Sequence, residues 1–422
     1  MPNNGFERSD IGNLLQRLRE PVRRLTIIAG PRQVGKTTLV QQALARISAE
    51  KPARFIATDQ PVTPRPSPRA AAGEVVDGLV EADAAWLAQV WQSARAAAQD
   101  SETGYVLVLD EIQKIHRWSE IVKGLWDADR TEGLNMHVVL LGSSPLLVQR
   151  GLSESLTGRY DLIHLGHWSF REMQEAFGLS LEEFIYFGGY PGSADRIRSE
   201  NEWRHYVRYS LIEPSIEKDV FALNRVDKKF LLKQLFRLGC DYSGQVFTYT
   251  KMAENLRDSG DKAHTNTIAD YLELLTQAGL LAALQMFSAN RLRLRASPPK
   301  LNVLNTSLMS VETGYGFAEA RADRSHWGRL TESAVGAHLY NTGMNDDCRL
   351  HYWRKSPHEV DFVLARGRRI LAIEVKSGRP PNNNRGLDAF VAAYPDSKTL
   401  IVGEGGIPLA EFLSQSAAYW LE

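Results

Sequence analysis

Residues 30 to 38 read Gly-Pro-Arg-Gln-Val-Gly-Lys-Thr-Thr and fit the phosphate-binding spacing G-x-x-x-x-G-K-[ST]. Glycines at 30 and 35 let the loop curl, so that successive backbone N–H groups face one anionic ligand. We expect Lys36 to reach the β and γ phosphates of a nucleotide and the Thr37 hydroxyl to bind Mg²⁺. The predicted ATP-binding loop consists of Gly30, Pro31, Arg32, Gln33, Val34, Gly35, Lys36, Thr37 and Thr38.

An acidic pair, Asp110-Glu111, follows the apolar run at 105–109. At the carboxyl end of a buried strand, Asp110 would complete the Mg²⁺ shell. Glu111 would orient or deprotonate the water that attacks the γ phosphate. An acidic helix N-terminus is the alternative for such a pair taken alone, but the phosphate loop upstream favours the nucleotide site.

A polar segment, Gly142-Ser143-Ser144, follows another apolar run at 137–141. In a parallel sheet this segment would lie beside Asp110 and Glu111, so Ser143 is a candidate sensor of the γ phosphate or the water. Ser144 precedes a proline and also fits the N-cap of a helix. The two roles are compatible.

A second set of charged residues lies in the last hundred residues: Glu332 at the start of a predicted helix, Asp361 on an alternating strand, and Glu374 and Lys376 on the next strand. A spacing of two puts Glu374 and Lys376 on one face, and a hairpin at 366–368 would bring Asp361 near Glu374. Asp361 and Glu374 are candidate Mg²⁺ ligands, and the four residues together suit phosphodiester cleavage. The alternative is a scaffold retained only for binding or assembly.

The surrounding sequence predicts an α/β protein with four domains. Alternating strand-like and helix-like runs predict a parallel-sheet core over 1–165. Residues 166–226 read as a helical lid, and 227–298 read as a winged helix-turn-helix, with the helices at 250–257 and 265–278. Residues 299–422 return to mixed α and β structure.

Bulk properties narrow the function classes. Lys plus Arg and Asp plus Glu are both 50, so whole-chain charge does not indicate a polyanion partner. Two distant cysteines indicate neither a disulfide framework nor a zinc site, which favours a cytoplasmic protein. No apolar run is long enough to span a membrane. A basic stripe at Arg291, Arg293 and Arg295 is either a nucleic-acid contact or a solvated face.

In sequence, the chain resembles the bacterial and archaeal AAA+-type ATPases that carry a separate, uncharacterised C-terminal domain. The resemblance rests on the loop at 30–38 and on the segments 109–114, 141–144, 155–159, 169–172 and 188–191. It implies a homo-oligomer, with a hexameric ring as one form. It also implies that Arg159 reaches the nucleotide of a neighbouring subunit, unless Arg159 forms an ion pair within its own domain. The pattern of Asp361, Glu374 and Lys376 resembles the PD-(D/E)XK nucleases, and implies a restriction-endonuclease-like C-terminal domain.

Three functions are compatible with these features. The first is an Mg²⁺-dependent ATPase that processes or remodels DNA, branched DNA included, with a nuclease-like C-terminal domain. The second is a switch ATPase of the signal-transduction type, which controls assembly in defence or toxin regulation and has an inert C-terminal domain. The third is a nucleotide-binding assembly module.

Overall fold

The computed structural model describes residues 5–58, 82–142, 155–221, 226–257, 264–288, 297–378 and 384–422. The chain divides into two compact units. The nucleotide-binding unit comprises Glu7–Ala29 and Gly35–Ile163. The C-terminal unit comprises Met1–Phe6, Gly30–Val34 and His164–Glu422.

A five-stranded sheet in the order β2-β3-β4-β1-β5 forms the centre of the nucleotide-binding unit. The ladders β2–β3, β3–β4 and β1–β4 are parallel. The strands are β1 (Leu25–Ala29), β2 (Ala53–Ala57), β3 (Tyr105–Asp110), β4 (Met136–Gly142) and β5 (Tyr160–His164). The helices are α1 (Ile11–Arg19), α2 (Lys36–Ile47), α3 (Ala84–Gln99) and α4 (Trp118–Thr131). The predicted α/β class with a parallel sheet is confirmed.

Burial on both faces explains why the sequence predicts these strands from short apolar runs. Every residue of β1 and β4 is buried, which is the continuous apolar pattern of a strand covered on both faces. The placement of β4 between β3 and β1 puts the ends of three strands at one edge. This edge carries the last residue of β3, Asp110, and the residues that follow the strands.

The buried His137 side chain in β4 predicts that the folded protein loses stability in acid. Burial, with a smaller contribution from the charge of Lys51, lowers the pKa of His137 from 6.5 to about 4. The unfolded chain therefore binds a proton as the pH falls below its value of 6.5, while the folded chain stays neutral until about pH 4. The contribution of His137 to stability is complete above pH 6.5 and is lost across this window, by roughly 3 kcal/mol in total.

Urea unfolding of wild type and His137→Asn at several pH values between neutral and 4 would measure this loss. The variant lacks the titrating ring, so its free energy of unfolding should fall less steeply with acid than that of wild type. Parallel pH profiles for the two proteins would contradict the assignment to His137.

The C-terminal unit begins with short helices in the predicted lid region: α5 (Phe170–Phe177), α6 (Leu181–Phe187) and α7 (Glu200–Tyr206). Helices α5 and α6 are each preceded by an N-cap serine that forms a capping box with a glutamate three residues later. Two π-helical stretches, Val207–Ile212 and Ser215–Phe221, follow α7. No residue pattern in this segment predicts the departure from α-helix.

Three helices and a hairpin follow: α8 (Lys229–Asp241), α9 (Tyr249–Arg257), α10 (Thr265–Gln277), and then β6 (Leu281–Leu284) and β7 (Lys300–Val303). This is the element order that the predicted winged helix-turn-helix requires. The two strands are antiparallel. The second strand of the hairpin thus lies beyond the predicted boundary at 298. The arginine stripe at 291–295 falls outside the described residues.

A four-stranded mixed sheet in the order β11-β10-β9-β8 completes the C-terminal unit. Strands β8, β9 and β10 are antiparallel neighbours, whereas β10 and β11 are parallel. The strands are β8 (Arg349–Lys355), β9 (His358–Arg366), β10 (Arg369–Lys376) and β11 (Lys398–Gly403). The helices are α11 (Thr306–Thr313), α12 (Phe317–Ala322), α13 (Arg324–Gly343), α14 (Arg385–Ala393), α15 (Leu409–Leu413) and α16 (Ala417–Leu421).

Among the described residues, no helix has both the length and the apolar character needed to cross a membrane.

Candidate functional site

The Thr37 and Asp110 side chains meet at the carboxyl end of β3. The Thr37 hydroxyl donates a hydrogen bond to Asp110 Oδ2 at 2.7 Å. Asp110 and Lys36 are both buried, and Lys36 is the first residue of α2. Gly35 precedes it with φ +92°, a conformation that favours glycine. The structure therefore brings together the lysine, the hydroxyl and the acid that the sequence predicted.

Glu111 leaves the strand in a left-handed conformation, with φ 54° and ψ 37°. Its backbone N–H donates to Asp110 Oδ1 at 2.9 Å. Its side chain accepts a hydrogen bond from Gln113. A non-glycine residue is strained at this φ, and such strain is concentrated at functional positions. The backbone therefore leaves the line of the strand at Glu111, directly after Asp110.

Thr58 supports this turn and was missed by the sequence analysis. Its hydroxyl lies 3.0 Å from the backbone oxygen of Asp110 and 2.7 Å from that of Glu111. Thr58 is buried and follows β2, the neighbour of β3. A single threonine after a strand matches no motif, so its position in the sheet order is the signal that would have found it.

The residues at 30–34 belong to the C-terminal unit. A Cβ built on Gly30 would lie 2.0 Å from the backbone oxygen of Leu165, so no other residue fits there without a backbone shift. The Trp168 indole N–H donates to the backbone oxygen of Val34 at 2.9 Å. Glycine at 30 is thus required by a close backbone approach, in addition to the curl of the loop.

Arg159 forms a bidentate ion pair with Asp127 of α4. Its Nε lies 2.7 Å from Oδ1, and its second terminal nitrogen lies 3.0 Å from Oδ2. This hydrogen bonding lowers the pKa of Asp127. About a third of the Arg159 side chain is exposed. The ion pair within the domain, one of the two alternatives for Arg159, is present, and the role toward a neighbouring subunit stays a prediction. Ser143 lies outside the described residues.

The predicted Mg²⁺ ligands of this site fit a magnesium ion in their chemistry. A hydroxyl and a carboxylate are oxygen donors, which Mg²⁺ requires, and the ion keeps several waters. The hydrogen bond between Thr37 and Asp110 places both donors at one point. These two residues would hold the ion.

The C-terminal charged residues are also brought together. Asp361 Oδ2 accepts a hydrogen bond from the backbone N–H of Val375 at 2.8 Å, across the antiparallel pair β9–β10. Lys376 donates to Glu374 Oε1 at 2.5 Å. Glu374 Oε2 is buried and accepts no hydrogen bond from any residue that the structure describes. The predicted proximity of Asp361 and Glu374 is therefore present.

Glu332 lies in the middle of its helix, not at the start. Helix α13 begins at Arg324, because Asp323 caps it by accepting hydrogen bonds from the backbone N–H groups of Ser325 and His326. We call Glu332, Asp361 and Glu374 the C-terminal acidic cluster.

The sequence analysis missed Lys300, which contacts this cluster from β7. Its ammonium lies 2.5 Å from Glu332 Oε1 and 3.8 Å from Asp361 Oδ1. It also donates to the backbone oxygen of Asp361 at 3.0 Å. The side chain is fully buried, and no local pattern distinguishes it from a solvated lysine.

Burial and charge oppose each other in this cluster. Burial raises the pKa of Glu332 to about 7, although the Lys300 ammonium acts in the other direction. Burial, reinforced by the Asp361 carboxylate, raises the pKa of Glu374. For Lys300, burial alone would lower the pKa, but the Glu332 and Asp361 carboxylates more than offset it and raise the value. The ammonium is therefore charged.

Family comparisons divide the chain into three parts. Residues 22–174 match the family described as an AAA domain. Residues 178–316 match domain of unknown function DUF8612, and residues 327–410 match domain of unknown function DUF4143.

Two curated relatives are uncharacterized proteins. One, from Methanocaldococcus jannaschii, is 24% identical over 309 residues, which is 69% of this chain and 66% of that protein. The matched part is therefore slightly less than two thirds of that relative. The other, from Haemophilus influenzae, is 22% identical over 313 residues, covering 72% of this chain and 74% of the relative.

A solved structure shares the fold. The Walker-type ATPase PABY2304 of Pyrococcus abyssi is 16% identical, with a TM-score of 0.51, and the alignment covers 73% of this chain and 96% of that one. Together with the AAA-domain match, this similarity shows that the chain has a fold like that of AAA-type P-loop ATPases.

Proposed function

We propose that this protein binds and hydrolyses ATP with the help of Mg²⁺. The observation that carries the proposal is the 2.7 Å hydrogen bond between Thr37 and Asp110 at the carboxyl end of β3. In parallel α/β sheets, ligands bind outside this end of the strands. Helix α2 begins at Lys36, the residue before Thr37, and the N-terminus of a helix favours the binding of phosphates.

Each residue has a separate task in the proposed reaction. Lys36 neutralises charge on the β and γ phosphates, and Mg²⁺ would add Lewis-acid stabilisation of the same charge. Glu111 accepts a proton from water as the water oxygen bonds to the γ phosphorus. The bond from that phosphorus to the bridging oxygen breaks, and ADP leaves with the electron pair.

We further propose DNA as the partner through which turnover is regulated. The support is the winged-helix order of α8, α9, α10, β6 and β7. Exposed Lys251 and Arg257 on α9 and the arginine stripe at 291–295 supply positive charge for phosphate contacts.

The ATPase rate with a panel of single-stranded, duplex and four-way-junction DNA tests this function. We expect several-fold stimulation by at least one of these, falling steeply with salt because counterions are released. The matched variant replaces Arg291, Arg293 and Arg295 by alanine, which should keep the basal rate and lose the stimulation. An unchanged rate with every DNA would exclude DNA as the activator, whereas absent basal turnover would reject the ATPase itself.

A second candidate function is a switch ATPase, and one observation favours it. Helix α10, the second helix of the predicted helix-turn-helix, contains no lysine or arginine, and its exposed positions include Asp270 and Glu273. Carboxylates on this face would repel DNA phosphates. A switch would hydrolyse ATP slowly and assemble with a non-hydrolysable analogue, which light scattering of the oligomer would detect.

For the C-terminal domain we propose a nuclease-like fold. The support is the antiparallel hairpin that carries Asp361 and Glu374. Glu332 on helix α13 is linked to this hairpin because Lys300 forms ion pairs with both Glu332 and Asp361. The homo-oligomer likewise remains a proposal, supported by the AAA-domain match.

A further inference from the structure

We propose that Lys300 is the resident cation of the C-terminal acidic cluster, in the place that a divalent metal would take. The domain then holds its acids as an internal ion-pair network and does not cleave DNA. This inference concerns only the C-terminal unit and does not depend on ATP hydrolysis.

The Lys300 ammonium is surrounded by oxygen atoms. It donates a hydrogen bond to the Asp361 backbone oxygen at 3.0 Å, and it forms ion pairs with Glu332 Oε1 at 2.5 Å and Asp361 Oδ1 at 3.8 Å. The Phe362 ring lies 4.8 Å away and adds a cation–π contact. A buried lysine with these partners is held in one position.

The side chains of the C-terminal acidic cluster are not arranged as ligands of a metal ion. Mg²⁺ demands near-octahedral oxygen ligation at about 2.1 Å. Among the described residues, which include the whole acidic cluster, no group of three His, Cys, Asp or Glu side chains is arranged to hold a metal ion. Asp361 is already engaged by both Lys300 and the Val375 N–H, and Lys376 is paired with Glu374. The residue types match the PD-(D/E)XK pattern, but the arrangement of their side chains does not suit the binding of Mg²⁺.

Lys300 and its partners come from different elements of the C-terminal unit. Lys300 begins β7, the second strand of the winged-helix hairpin, while Glu332 lies on α13 and Asp361 on β9. The ion pairs therefore join the wing to the C-terminal sheet. Removing one partner of a buried ion pair leaves an uncompensated charge, which is strongly destabilising. We therefore expect the junction between the hairpin and the C-terminal sheet to need both Lys300 and its carboxylate partners.

Wild-type protein provides the first test, by thermal unfolding with and without millimolar Mn²⁺ in the absence of nucleotide. We expect Asp361→Asn to show the same Mn²⁺-dependent change in Tm as wild type, because neither binds metal at the cluster. A Tm rise in wild type that Asp361→Asn lacks would overturn the proposal. So would Mg²⁺- or Mn²⁺-dependent DNA cleavage that is lost in Glu374→Ala.

Removal of the ammonium provides the second test. Lys300→Ala should lower the Tm by roughly 10 °C, since three partly buried carboxylates, those of Glu332, Asp361 and Glu374, are left with one lysine. Millimolar Mn²⁺ should restore much of this loss in Lys300→Ala but not in Lys300→Ala/Asp361→Asn. Equal Mn²⁺ responses in the two variants would contradict the exchange of lysine for metal. If Lys300→Ala does not fold, the wild-type comparison still decides.

Discussion

Glu111→Gln should bind ATP with wild-type affinity and hydrolyse it at least about 100-fold more slowly. The amide preserves the shape and keeps a hydrogen bond with Gln113, but it cannot accept the water proton. The left-handed backbone of Glu111 and the Thr58 hydroxyl contacts to it are unaffected by the substitution. The position of the side chain should therefore be retained, and only its basicity lost.

Lys36→Ala should show the opposite pattern, with loss of ATP binding. The buried Lys36 ammonium at the start of α2 contributes binding in the ground state as well as in the transition state. Fluorescent-nucleotide titration and single-turnover hydrolysis separate the two effects. Glu102→Gln and Lys123→Ala, at exposed positions of the same unit, are the matched controls and should behave as wild type. Wild-type turnover in both Glu111→Gln and Lys36→Ala would refute the site.

The nucleotide site was predictable because its residues are tied to buried parallel strands. Strands β1, β3 and β4 appear in the sequence as short apolar runs, and the residues that follow such strands meet at one edge. Asp110 and Thr37 could therefore be placed together from spacing alone. The predicted run at 105–109 is one residue shorter than β3 at its C-terminal end, and the run at 137–141 is one residue shorter than β4 at each end.

The partners that reach these sites from a distance in the chain were not predictable. Thr58, Asp127 and Lys300 carry no motif, and each reaches its partner through packing over tens of residues or more. Lys300 follows two prolines and reads as the start of an exposed strand. Its full burial depends on the placement of α13 and β9, which no local pattern specifies. The π-helical stretches are similarly set by tertiary packing.

Arg159→Ala should reduce turnover per subunit by roughly 1,000-fold or more if its guanidinium stabilises the transition state of a neighbouring subunit. A purely structural arginine predicts a small effect, because a partly exposed ion pair is worth about 1 kcal/mol or less. Asp127→Ala is the matched control, since it breaks the same pair and leaves the arginine in place. We expect Asp127→Ala to keep most of its activity. Equal, small losses of turnover in both variants would mean that Arg159 acts only through its ion pair with Asp127 within the domain.

Mixing two inactive proteins then separates action between subunits from action within one. An Arg159→Ala subunit retains Glu111 and the phosphate loop, while a Glu111→Gln subunit retains Arg159. In a mixed oligomer, Arg159 of the second subunit would serve the intact site of the first, so ATP hydrolysis should reappear above the sum of the two separate proteins. Adding Arg159→Ala to the Glu111→Gln subunit should abolish the recovery. If the arginine acts within its own subunit, no mixture recovers activity, because no subunit contains both groups.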